Sequence, residues 1–159
     1  MNAKKFWVTH VGLLIAAFAI TLTPFQRALA DDHNSPIGVW KSIDDKTHQP
    51  RSIIKIWEED NQLHGKIVKI FYKEGESEKD LCTKCEGDDK DKPILGLTIL
   101  RGFTEHKENV WSKGTILDPE SGRVYRSKLT LKDEGKQLDV RGFIGISLLG
   151  RTQTWMREE

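Results

Sequence analysis

The chain has 159 residues, with 25 Lys plus Arg against 24 Asp plus Glu and a net charge of +1. The two signs are interspersed and form no basic stripe, which argues against nucleic acid as a partner. Only Cys82 and Cys85 are cysteines, so the chain is not a small scaffold held by many disulfides, and its length suits one domain with a core of its own.

Residues 1–30 are expected to be a leader. Lys4 and Lys5 precede an apolar run over residues 8–22, and Ala28-Leu29-Ala30 closes the segment with the small-x-small pattern cut by a signal peptidase. Pro24, Gln26 and Arg27 interrupt the segment before it reaches the length of a membrane span. Cleavage near Ala30 leaves residues 31–159 as a single domain in an oxidising compartment, the periplasm or the exterior. Lys4, Lys5 and Arg27 leave with the leader, which turns the net charge from +1 to −2. No second apolar stretch of membrane length follows, so no transmembrane segment is expected in the mature chain.

Past a polar stretch, residues 37–43 read as a first strand. Ser52-Ile53-Ile54-Lys55-Ile56-Trp57 is dense in the β-branched and aromatic residues that suit a pleated surface. Glu59-Asp60-Asn61 turns the chain into a third strand over residues 63–71, in which Gly65 marks a bulge or bend. The rhythm breaks over residues 72–93, a charged loop that holds both cysteines. Loops of that length in a compact domain are usually functional or pinned. Strands resume at residues 95–103 and 109–117. Asp118-Pro119-Glu120-Ser121-Gly122 then turns the chain, with Pro presetting φ and Gly supplying the positive-φ position. Residues 123–132 alternate cleanly. Leu138, Val140 and Ile144 share one face of a seventh strand, and residues 148–157 make the eighth. The expected class is therefore all-β. About eight antiparallel strands with local connections favour an up-and-down barrel, with a two-sheet sandwich as the alternative.

Gly38-Val39-Trp40 resembles the Gly-x-Trp signature of the lipocalins. In that superfamily the Trp plugs the closed end of the barrel and an Arg from the last strand covers it; the resemblance assigns these roles to Trp40 and Arg157. A longer likeness is carried by Ile116-Leu117-Asp118-Pro119-Glu120-Ser121-Gly122-Arg123-Val124-Tyr125. Arg141-Gly142-Phe143-Ile144-Gly145-Ile146-Ser147-Leu148-Leu149-Gly150-Arg151-Thr152-Gln153-Thr154-Trp155 adds to it, and Lys92-Pro93-x-x-Gly96 fits the same pattern. These segments resemble a family of small exported bacterial proteins known as domain-of-unknown-function family 2147. The resemblance implies a lipocalin-like, calycin-like barrel and no established enzymatic activity.

Cys82-Thr83-Lys84-Cys85 admits four states: a tight disulfide bracing the long loop, a redox-active pair, half of a zinc site, or two free thiols. Export favours the disulfide. Glu86, Asp88, Asp89 and Asp91 disfavour a reactive thiolate, and there is no second cysteine pair to complete a zinc site. His33, His48, His64 and His106 form no local ligand pair, and Asp88-Asp89-x-Asp91 lacks the Gly and closing Glu of a calcium loop. No Gly-x-Ser-x-Gly and no phosphate-binding glycine loop occur. No catalytic residue, metal or cofactor is expected, and an enzyme is not the favoured class.

An eight-stranded barrel is either filled with side chains or holds one small ligand. If Tyr125, Arg141, Phe143 and Gln153 point inward, the interior suits an amphipathic anion, its tail buried and its head group against the guanidinium. Alternation on the seventh strand offers the opposite setting too, with Leu138, Val140 and Ile144 inward and Arg141 in solvent. Two functions follow. One is an envelope protein that binds a small hydrophobic or amphipathic molecule; the other is a filled barrel that meets an envelope protein partner through residues 72–93. A thiol–disulfide protein is a more distant third. A cavity above roughly 300 Å³ would favour a ligand.

Overall fold

The structure, a computed structural model, describes residues 34–44 and 47–158; the expected leader lies outside the described residues. Eight strands follow in order: β1 (Gly38–Ile43), β2 (Pro50–Glu59), β3 (Gln62–Ile70), β4 (Thr98–Lys107), β5 (Val110–Asp118), β6 (Arg123–Lys132), β7 (Gln137–Phe143) and β8 (Gly150–Glu158). Each pairs antiparallel with the next, and β8 pairs back onto β1, so the sheet closes into a barrel. Closure decides between barrel and sandwich, because it leaves no strand with an unpaired edge.

Local chemistry explains the turns. Asp60 and Asn61 both take positive φ (51° and 58°), as a two-residue type I′ hairpin between β2 and β3 requires. The pairing of β3 with β4 shifts register on both sides of Gly65, where the Leu100 side chain packs directly over the missing Cβ. Two strands begin later than the apolar pattern predicts. Before β4, Gly96 N–H donates to Ile67 O (2.9 Å) and Leu97 N–H to Ile94 O (3.2 Å), so the chain is still turning where residues 95–97 read as strand. Before β8, Ser147–Leu149 forms a single 3₁₀ turn that leaves Leu148 and Leu149 outside the sheet.

One pole of the barrel is packed solid. Trp40, Phe103, Leu129 and Leu138 are fully buried there, with Trp155 beside them. Trp40 Nε1–H donates to Pro36 O at 2.8 Å. Arg157 stands directly opposite Trp40 in the β1–β8 register, and its guanidinium carbon lies 4.3 Å from the indole centre. Its donors reach three carbonyls: Nε to Gly135 (2.7 Å), Nη1 to Ile37 (3.0 Å) and Nη2 to Ser35 (2.7 Å). The same guanidinium explains the glycine of Gly-x-Trp. A Cβ on Gly38 would lie 2.7 Å from Arg157 Nη1, and φ there is +138°.

The long β3–β4 connection is fastened rather than loose. Cys82 and Cys85 are joined by a disulfide and are buried. Cys82 N–H donates to Lys92 O (2.8 Å), beside a bridge between Leu81 and Pro93. The disulfide segment rests on the β5–β6 turn. Cys82 Sγ is 3.6 Å from Pro119 O, and Lys84 Nζ donates to Glu120 O at 3.0 Å. A Cβ on Gly122, at φ +72°, would strike the Lys84 carbonyl. Arg51 of β2 forms a two-pronged pair with Glu76 (2.7 and 2.9 Å) and reaches Glu120 at 3.0 Å, joining elements that are not neighbours in the sheet. Burial works to raise the Glu76 pKa, but the hydrogen bonds from Arg51 and from Lys73 N–H, with the charges of both, outweigh it and hold the carboxyl below its ordinary range.

Two outcomes test these fastenings. Arg157→Lys keeps the charge but loses the planar face and the fork of donors; urea unfolding should show a loss of about 1–3 kcal/mol, against about 3–5 kcal/mol for Trp40→Ala. The folded pKa of Glu76 lies below its unfolded value, so its contribution is complete above the ordinary carboxylate range and vanishes as pH falls through the lowered folded value. Limited proteolysis of residues 71–97 should accelerate in that acid window in the wild type. Glu76→Gln should already be cut faster at neutral pH and show a flatter profile.

Candidate functional site

The opposite pole gathers the β1–β2, β3–β4, β5–β6 and β7–β8 connections and is not filled. A cavity of about 560 Å³ opens between them. Its floor is Trp155, and aliphatic walls come from a different strand each: Ile54 of β2, Ile67 of β3, Ile99 of β4, Ile116 of β5 and Val140 of β7. Alternation along the strands, reset locally by the register shifts in the β2–β3 and β3–β4 pairings, builds this lining. Polar groups are sparse in the depth and crowded at the mouth. Within, the Ser42 and Ser52 hydroxyls hydrogen-bond at 2.8 Å, and Gln153 Oε1 accepts from Trp155 Nε1 at 3.4 Å. At the mouth stand Arg51, Lys73 and Arg151 with Asp44, Asp118 and Glu120.

The acidic groups of the rim are engaged with neighbours. Lys73 Nζ donates to Asp44 at 2.7 Å, Glu120 pairs with Arg51, and Asp118 accepts from the Ser121 hydroxyl at 2.6 Å. Burial works to lower the Arg51 pKa, but hydrogen bonds and charge from Glu76 and Glu120 more than offset it, so the guanidinium is held firmly protonated.

Of the four residues expected to line a ligand pocket, Tyr125, Phe143 and Gln153 do so from β6, β7 and β8. Arg141 does not. The β7 register places Val140 opposite both Leu129 and Gln153, all facing the interior, which turns Arg141 outward between Asp139 and Phe143. Its guanidinium donates instead to Ser147 O (2.7 Å), Leu148 O (3.1 Å) and Thr152 Oγ1 (2.8 Å). Phe143 borders the mouth, but it lies on that same outer face and its ring is covered by Arg126, 5.7 Å from ring centre to guanidinium carbon. The cation on the inward face is Arg151, two residues before Gln153 and four before Trp155. The spacing of Arg151, Gln153 and Trp155 is present in the sequence, as are the isoleucines of β2 to β5, but period-two alternation does not say which face is inside.

Cys82 and Cys85 are 0% and 2% exposed, which leaves an attacking thiolate no route to either sulfur and argues against a redox role. Asp89 of the acidic run is committed to Arg101 at 2.9 Å. His64 lies against Trp57, ring centres 5.7 Å apart. Among the described residues, no group of three His, Cys, Asp or Glu side chains is placed to hold a metal ion.

No curated protein matches the chain. Protein HP1028 from Helicobacter pylori, described as belonging to the lipocalin family, superimposes with a TM-score of 0.68 at 12% sequence identity. The match covers 79% of this chain and 84% of that one, a likeness of fold. The family described as "Uncharacterized protein conserved in bacteria (DUF2147)" matches residues 38–157. The chain therefore belongs to the DUF2147 family and folds as a lipocalin-like barrel of eight antiparallel strands.

Proposed function

We propose that the protein is an exported, non-catalytic binding protein of the bacterial envelope that holds one small amphipathic molecule, with an aliphatic tail and an anionic head. The observation that carries this is the division of the cavity. Isoleucine and valine walls enclose about 560 Å³, within the range of ligand pockets, and the charged groups are confined to the mouth, where Arg151 stands on the inward face. An apolar tail gains about 0.8 kcal/mol for each methylene removed from water. A carboxylate or phosphate left at the mouth meets Arg151, which lies on the inward face between Gln153 and the rim. The leader expected at residues 1–30 from the sequence, together with the Cys82–Cys85 disulfide, supports a periplasmic or secreted location. A space of this size weighs against the alternative of a filled barrel acting only through its surface.

The purified mature chain should bind a fluorescent long-chain fatty acid. Ile116→Trp, which fills the cavity, should abolish that binding while leaving circular dichroism unchanged. Arg151→Gln should weaken the fatty acid about 10- to 100-fold and leave the alcohol of the same chain length nearly unaffected. Failure of the wild type to bind either probe, or binding by Ile116→Trp equal to the wild type, would remove the proposal.

A further inference from the structure

The β7–β8 connection, residues 144–149, carries an unusual surface for so charged a chain. Ile144 is 69% exposed, Ile146 61%, Leu148 82% and Leu149 77%. Four large aliphatic side chains thus stand in water on six consecutive residues, beside the cavity mouth. Along the chain, the charge next to them has one sign only. From residue 140 to residue 156 there is no Asp or Glu, whereas Arg141 and Arg151 flank the connection in sequence and Arg126 reaches it from β6.

The backbone of this connection is also prepared for an apolar medium. Gly145 O accepts from Arg126 Nη1 (3.5 Å), Ser147 O from Arg141 Nε (2.7 Å) and Leu148 O from Arg141 Nη2 (3.1 Å). Ile146 O accepts from Leu149 N–H at 3.2 Å. A carbonyl that enters hydrocarbon without a partner is costly, and four of the carbonyls in this segment already have one. Three acidic groups on that side, Asp44, Glu76 and Glu120, are paired with Lys73 and Arg51, which reduces their opposition to an anionic surface and leaves Asp118 as the carboxylate hydrogen-bonded by the Ser121 hydroxyl.

We infer that the β7–β8 connection is a membrane-docking tip that inserts its aliphatic side chains into a bilayer bearing anionic headgroups, with Arg126, Arg141 and Arg151 meeting the phosphates. A protein partner is the poorer fit. A stable protein interface covers about 800 Å² on each side with a mixed surface, whereas this is a narrow convex knob of aliphatics with arginines at its base, the layout of an interfacial anchor. Docked this way, the cavity mouth faces the lipid. The inference stands whatever the cavity holds.

Flotation of the mature chain with phosphatidylcholine–phosphatidylglycerol vesicles tests it. We expect binding that is weaker to phosphatidylcholine alone and that falls as salt is added. Ile146→Ser/Leu148→Ser, at two positions that do not line the cavity, should lower vesicle partition by about tenfold or more. The same variant should keep the wild-type melting temperature and its affinity for a soluble fatty-acid probe. Vesicle binding without probe binding would uphold the docking tip and sink the cavity proposal; probe binding without vesicle binding would do the reverse. Equal partition of the variant and the wild type overturns the inference. So does a concentration-dependent dimer that the two substitutions dissolve while the wild type ignores vesicles, since the knob then belongs to a second copy.

Discussion

The structure depends on the meeting of β1 and β8. A sheet of eight strands that failed to close would expose two rows of unpaired backbone groups and open its interior to water. Closure brings Trp40 opposite Arg157, and the guanidinium then does two things at once. It covers the indole face, and it spends its donors on carbonyls of Ser35, Ile37 and Gly135, which belong to the segment entering β1 and to the β6–β7 turn. The first strand, the last strand and a distant turn are thereby fixed by one side chain. Gly38 is glycine because that side chain occupies the space a Cβ would need.

With one pole sealed by large aromatic side chains, the remaining volume lies at the other. The asymmetry is visible in side-chain size along the strands. Trp40, Phe103 and Trp155 fill the sealed half, and isoleucine and valine line the open half, where smaller side chains leave room between opposite walls. The open pole gets its rigidity from fastened loops instead of packing. The disulfide segment sits on the β5–β6 turn, and Arg51 ties that turn and the β3–β4 connection to β2. The result is a rigid mouth around an apolar space.

Strand count, turn positions and the closed topology could be read from alternation and from turn residues such as Asp60-Asn61 and Asp118 to Gly122, because each rests on local chemistry. The Trp40–Arg157 pair was accessible through a short signature. The facing of β7 was not, since period-two alternation gives two faces and does not say which is inside; the answer lies in the pairing of Val140 with Leu129 and Gln153 across two neighbouring strands. Arg141 accordingly had two possible places, and the outer one prevailed. Leu148 and Leu149 misled in a different way. Apolar residues beside a strand ordinarily extend it, and only the hydrogen bonds that Arg141 makes to that connection show why the chain curls away from the sheet there.

Because β1 begins and β8 finishes at the sealed pole, the polypeptide enters at Gly38 and leaves at Glu158 on the side remote from the mouth. A tag, linker or solid support joined beyond Glu158 would therefore hold the barrel upright with its opening turned outward. Immobilised copies would all present the same orifice to whatever flows past.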